Sequence, residues 1–152
     1  MVVDLVRAAP GDRRALAELK RHGFTEPGTA LANIHALAPT PVEGTLLDPV
    51  LPRLLAEVAG APDPDMALNN LERLAAQGDR GVFLRTLAAH PGAIHLPARL
   101  GGTSQFLADT LRRYPQLFAW LLEPRTMRQW LGDELEAGLA ASLAPFSKRE
   151  AR

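Results

Sequence analysis

Asp63 and Asp65 stand at alternate positions, the spacing that two-metal phosphoryl-transfer sites use to hold their ions. Those sites need both carboxylates on one side of a strand, aimed at a nucleotide and Mg²⁺. Here Pro64 separates the pair and an amphipathic helical pattern follows at once. Asp63 therefore reads as an N-cap, and Asp65 as an acid near the positive end of a helix dipole. The four histidines, His22, His35, His90 and His95, are the other candidates for metal. None is paired at i, i+4 on a helix, Pro91 and Gly92 part the closest two, and the chain has no cysteine. They read as helix-end or surface residues. Ser104 and Ser142 lack a nucleophile elbow and a base partner, and no GxxxxGK phosphate loop is present. No catalytic, cofactor-binding or metal-ligating residue is assigned.

Two further groups invite a binding role. Arg112 and Arg113 beside Tyr114 have the composition of a nucleic-acid contact, but without a basic face they read as a solvated helix end. Trp120 and Trp130 read as core, or as a docking surface if exposed. These four residues are the candidate partner contacts. Gly101-Gly102-Thr103-Ser104 has the composition of a turn that opens a nucleotidyltransferase site. The strand carrying an Asp-x-Asp pair does not follow it; only Asp109 does, so Thr103 or Ser104 is read as an N-cap.

Composition bounds what these residues can serve. The 152 residues are 47% hydrophobic and 22% charged, as in a globular domain of ordinary size. Seventeen basic residues balance seventeen acidic ones, which points away from nucleic acid and anionic membranes as partners. Absence of cysteine excludes disulfides and thiolate chemistry and agrees with a cytoplasmic setting. Asp4 and Arg7 break the apolar start, so it does not read as a signal peptide. No run approaches the length of a membrane span.

The elements that must position the candidates are helices. Asp12 caps a helix over 13–22 with Leu16 and Leu19 inward, and Gly23 suits the position past its end. Thr25 is read as the cap of a second helix reaching Leu37, with Leu31, Ile34 and Ala38 on its apolar side. The pattern from 42 to 58 divides at Asp48-Pro49, read as a cap and first helical residue. After Asp63, Ala67, Leu71, Leu74 and Ala75 form a buried face opposite Asn70, Arg73 and Gln77. Asp79 or Arg80 restarts a helix burying Val82, Phe83, Leu87 and Leu84. His90-Pro91-Gly92 stops it, and 93–100 is a short connecting segment. Gly101-Gly102 reads as a break before a helix with Leu107, Leu111 and Tyr114 on its apolar face. Pro115 starts another with Leu117, Phe118, Leu121 and Leu122 on its apolar face, and a last helix over 124–143 carries Met127, Trp130, Leu131, Leu135 and Leu139.

These spacings predict an all-α bundle of about eight to ten short amphipathic helices without a β-sheet. The chain 1–152 is read as a single helical domain. It comprises N-terminal helices (1–61), a central part (62–122), a long C-terminal helix (123–144) and a polar tail (145–152) that has the character of a helix start cut short.

The residues 63–74, DPDMALNNLERL, resemble the D-P-D-x-A-L-x-N-L-x-R-L segment near the start of glutamine synthetase adenylyltransferases. The residues 104–122, SQFLADTLRRYPQLFAWLL, resemble that family's F-L-A-D-x-L-x-R-x-P-x-L-x-x-W-L, with Tyr114 where the family often has His. Order and spacing of the two segments carry the resemblance over 62–122. It implies a large bifunctional enzyme of nitrogen control, with one nucleotidyltransferase domain attaching AMP from ATP to a glutamine synthetase tyrosine and another removing it. Mg²⁺, glutamine and a PII-type signal protein are implied for the whole enzyme. The family's catalytic aspartates lie beyond the matched region, so the resemblance implies a non-catalytic N-terminal helical part, with the downstream transferase domain as its partner. The alternative is a free-standing helical protein-interaction module.

Overall fold

Asp12, Thr40, Asp63, Asp79 and Ser104 each lie in extended backbone just before a helix and accept a hydrogen bond from an amide of its first turn. Each satisfies a donor that the helix itself cannot. In this computed structural model, which describes residues 3–114 and Leu117, they start α1 (Arg13–Arg21), α3 (Pro41–Leu47), α5 (Pro64–Ala75), α6 (Arg80–Ala89) and α8 (Gln105–Arg113). The others are α2 (Pro27–Leu37), α4 (Leu51–Ala59) and α7 (His95–Thr103), the last preceded by a 3₁₀ turn over Pro91–Ile94. Among the described residues there is no strand, and the expected all-α class is observed. No helix among them is long and apolar enough to cross a membrane.

Helix α5 is the hub: α2, α4, α7 and α8 all pack against it. Ala67, Leu68, Leu71, Leu74 and Ala75 are buried there, so α5 presents apolar residues on more than one side. Leu19 from α1, Phe24 from the following turn and Ile34 from α2 close the core at one end; Leu84, Leu87 and Ile94 are likewise buried. Each such side chain contributes about 1.5–3 kcal/mol by leaving water. Gly23, at φ +94°, reverses the chain after α1, and Phe24 donates back to Leu19 O as it turns inward.

Several elements differ from their sequence reading. Gly101 and Gly102 do not break the chain; α7 runs through both and ends at Thr103. Their role is steric. A Cβ at Gly102 would stand 2.6 Å from Ala61 Cβ, 3.0 Å from Asp63 O and 3.1 Å from Ala67 Cβ. Only glycine lets α7 come this close, and Asp63 N donates across the seam to Gly102 O at 3.1 Å. The segment 93–100 is accordingly mostly helix, entered through the 3₁₀ turn after Pro91.

Thr25 does not cap α2. Glu26 holds the cap position without a side-chain bond, while Thr25 is drawn away to α5. Asp48 is not a cap either: it ends α3 in helical backbone, and its carboxylate accepts from Arg7 at 2.7 Å. Helix α4 starts three residues later, at Leu51. On α1 the buried residues are Ala15 and Leu19, with Leu16 only partly covered. On α2, Leu31 and Ile34 are buried as expected, but Ala38 has left the helix and is partly covered. On α6, Leu84 and Leu87 point inward, Phe83 is partly covered and Val82 is exposed. The expected helices after Pro115 and over 124–143, and the divisions 123–144 and 145–152, lie outside the described residues.

The seam gives a paired prediction. Gly102→Ala lowers stability by about 1–3 kcal/mol in urea unfolding, because backbone and two methyl groups must move. Gly101→Ala, whose Cβ would stand 3.4 Å from Asn70 Cβ, stays within about 1 kcal/mol of the parent.

Candidate functional site

The segment starting at Asp63 shows what its two acids do. Asp63 accepts from Met66 N at 3.0 Å and caps its own helix. Asp65, in the first turn, reaches across to α2: its carboxylate accepts from Thr25 N at 2.9 Å, Thr25 Oγ1 at 2.8 Å and Glu26 N at 3.1 Å. Partial burial pushes the Asp65 carboxyl up, but the Thr25 and Glu26 donors outweigh it and hold it below the ordinary aspartate range. The two carboxylates thus engage separate sets of amides, one along α5 and one at the start of α2.

Asn70 corrects the reading of α5. It is 92% buried rather than solvated, at a relative exposure of 8%. Its Nδ2 donates to Gly101 O at 2.8 Å and to Gln105 Oε1 at 3.3 Å, and its Oδ1 accepts from Gln105 Nε2 at 3.2 Å. A single side chain therefore ties α5 to the glycine seam of α7 and to the first turn of α8. Gln105 also donates to Asp109 Oδ1 at 3.1 Å. The sequence signal for this role is faint: an Asn inside a helix, where its propensity is poor, facing the same way as small residues.

The histidines sit at separate places. His22 follows α1 and approaches Glu18 O, His35 meets Leu5 O at 3.2 Å, and His90 follows α6. His95 opens α7 with Nδ1 2.6 Å from Glu57 Oε2, and Arg53 Nε donates to the other oxygen of Glu57 at 3.1 Å. The bond from His95 holds Glu57 below the usual carboxylate range against the opposing effect of burial, with help from Arg53.

Helix α8 carries the surface feature. Only Ala108 and Leu111 are buried. Leu107 and Tyr114, read from the sequence as facing inward with Leu111, are 38% and 45% exposed. Phe106 is 77% exposed, and Leu117, read from the sequence as part of the next buried face, is 38% exposed. The helix rests on α5 and α7 along a narrow strip, so a wide apolar pattern has one covered edge and one bare one. Arg112 and Arg113 are exposed beside it, Arg112 lying 3.7 Å from Asp109. Trp120 and Trp130, the other candidate contacts, lie outside the described residues.

Comparison with known proteins adds the family. A protein of Streptomyces avermitilis named bifunctional glutamine synthetase adenylyltransferase/adenylyl-removing enzyme is 40% identical over 151 residues. The match covers 94% of this chain and 14% of that protein. The chain matches one region of the glutamine synthetase adenylyltransferases. Proteins of the same name from Thioalkalivibrio sulfidiphilus and Leifsonia xyli are 34% and 33% identical, covering 86% and 90% of this chain and 15% and 14% of theirs. The chain therefore spans about one seventh of the length of these curated relatives. No family model matches it. No solved structure matches it.

The described parts of the two segments that resemble the adenylyltransferases, α5 and α8, pack against each other. Asp63, Asp65 and Asn70 from the first meet the α2 start, the α7 seam and Gln105 of the second. Their residue types are explained by helix caps and helix-to-helix bonds.

Two predictions follow from these contacts. At neutral pH, Asp65→Asn lowers stability by about 1–2 kcal/mol, the loss of charge-assisted bonds at a partly exposed site. Because the folded carboxyl titrates below its unfolded value, its contribution is complete above about pH 3.9 and disappears as pH falls through the folded value. The gap between parent and variant urea midpoints should close on acidification; a constant gap would remove the charge from the account. Asn70→Ala should cost about 1–3 kcal/mol, since Gly101 O is left buried without its donor.

Proposed function

We propose that this chain is the non-catalytic helical part preceding the first catalytic domain of a nucleotidyltransferase that adenylylates and deadenylylates glutamine synthetase in nitrogen regulation. One observation carries the reading: relatives that bear both activities in their name match this chain over most of its length, yet it accounts for 14–15% of theirs. A region of that size, built of capped helices and bearing an uncovered apolar edge, suits a support for a neighbouring domain. The downstream transferase domain of the same polypeptide is the primary partner, with glutamine synthetase and a PII-type signal protein as further ones, in the cytoplasm. ATP and Mg²⁺ belong to the linked catalytic domains. The match to long multi-activity proteins favours this over a free-standing interaction module.

The purified 152 residues, incubated with radiolabelled ATP, Mg²⁺ and glutamine synthetase, should transfer no label above a heat-inactivated control. Labelling of glutamine synthetase would overturn the reading. The coding sequence downstream should contain a glycine–serine turn followed by an Asp-x-Asp strand; a stop codon directly after Arg152 would favour the free-standing module.

A further inference from the structure

Helix α8 is held to the rest of the fold by few interactions. It leaves α7 through a single residue, Ser104, whose extended backbone belongs to neither helix. It buries two side chains, Ala108 and Leu111, and those only to 9% and 8% exposure. By contrast α5 buries six residues, and the two buried on α1 are at 0%. Among the described residues, its one side-chain hydrogen bond to another helix is the reciprocal amide pair of Gln105 and Asn70. Its remaining side-chain bonds stay within α8 or run to Ser104: Gln105 to Asp109, Thr110 to Phe106 O, Arg112 to Asp109, and Leu107 N to Ser104 Oγ. Behind the helix lies a small hollow whose other walls include Leu71 and Leu74 of α5 and Pro97 of α7.

We propose that α8 is a hinged flap, which swings about Ser104 away from α5 and α7 while the rest of the fold stays closed, with the Gln105–Asn70 pair as its latch. A hinge needs one residue free to absorb the change in backbone angles, and Ser104 stands alone between two regular helices. The remainder must also survive the departure. Asn70 Nδ2 makes its shorter bond, 2.8 Å, to Gly101 O, so the α5–α7 seam keeps its side-chain tie when Gln105 leaves. Water then reaches the positions that Gln105 vacates, and no donor or acceptor of Asn70 is left buried without a partner. Asp109 orients the latch, because it accepts from Gln105 Nε2 at 3.1 Å and so sets which way the amide faces Asn70. Opening uncovers Leu71, Leu74 and Pro97, and any contact made only with that bared slot favours the open form. The inference is independent of the proposed enzyme: it concerns how this chain moves.

Native-state amide exchange of the intact 152-residue chain in low urea tests the flap. Once it leaves its slot, a helix of nine residues is too short to hold its own hydrogen bonds, so its amides exchange from the open form. Those of Asp109, Thr110 and Leu111 should therefore exchange about tenfold or more faster than those of Leu71 and Gly102, with little dependence on urea. Two variants separate local from global opening. Gln105→Ala weakens the latch and should speed the α8 amides about fivefold. Gln105→Met, which keeps the length and loses the bonds, serves if the alanine variant does not fold. Asp65→Asn breaks bonds that the open flap retains, so it should speed Leu71 and Gly102 about tenfold and leave the α8 amides unchanged. Amides of α8 that follow urea and Asp65→Asn as Leu71 does would show that α8 leaves only with global unfolding and would overturn the proposal. Rates in α8 indifferent to the Gln105 variants would mark simple end-fraying and overturn it equally.

Discussion

Close backbone contact between α5 and α7 at Gly101 and Gly102 constrains the placement of the other helices. With a Cβ at Gly102 facing Ala61 and Ala67 at 2.6 and 3.1 Å, the two axes would have to separate. Asp63 N would then lose Gly102 O, Asn70 would lose Gly101 O, and α8 would lose the Asn70–Gln105 bond that orients its first turn. Interiors are packed too densely to absorb such a displacement locally. The same α5 residues also hold α2 through Asp65, so a change at the seam propagates to both sides of the hub.

Acidic residues here illustrate how one residue type divides between chemistry and architecture. An aspartate one position from another can hold a metal ion or can satisfy helix amides, and the available donors decide. Asp63 accepts from Met66 N in the first turn of α5, where the helix itself offers no acceptor, and Asp65 accepts from Thr25 N and Glu26 N just before α2. A charged acceptor there is favoured by both the hydrogen bonds and the helix dipole. The family segment around them is consequently a folding signal, and it places the chain in its family through architecture.

Local rules were legible in the sequence wherever the cause was local. Asp12, Asp63, Asp79 and Ser104 start helices as their residue types and the patterns after them indicate, and Gly23 ends one. What escaped was set by residues far along the chain. Thr25 looks like a cap until Asp65, forty positions later, takes its amide and hydroxyl. Asn70 looks solvated until Gly101 and Gln105 close over it. Gly101-Gly102 looks like a break because propensity penalises glycine, whereas the seam needs the missing Cβ more than it suffers from that penalty. Periodicity likewise finds the apolar face of α8 but says nothing of its width or its cover. Leu107 and Tyr114 share Leu111's period and still face outward.

Native-state amide hydrogen exchange tests the central claim most directly. If the α5–α7 seam organises the fold, the amides of Leu71 in α5, Gly102 in α7 and Asp63 across the seam exchange only with global unfolding, after those of α1 and α3. Exchange of the seam amides through a lower-energy opening, while α1 and α3 stay protected, would contradict it.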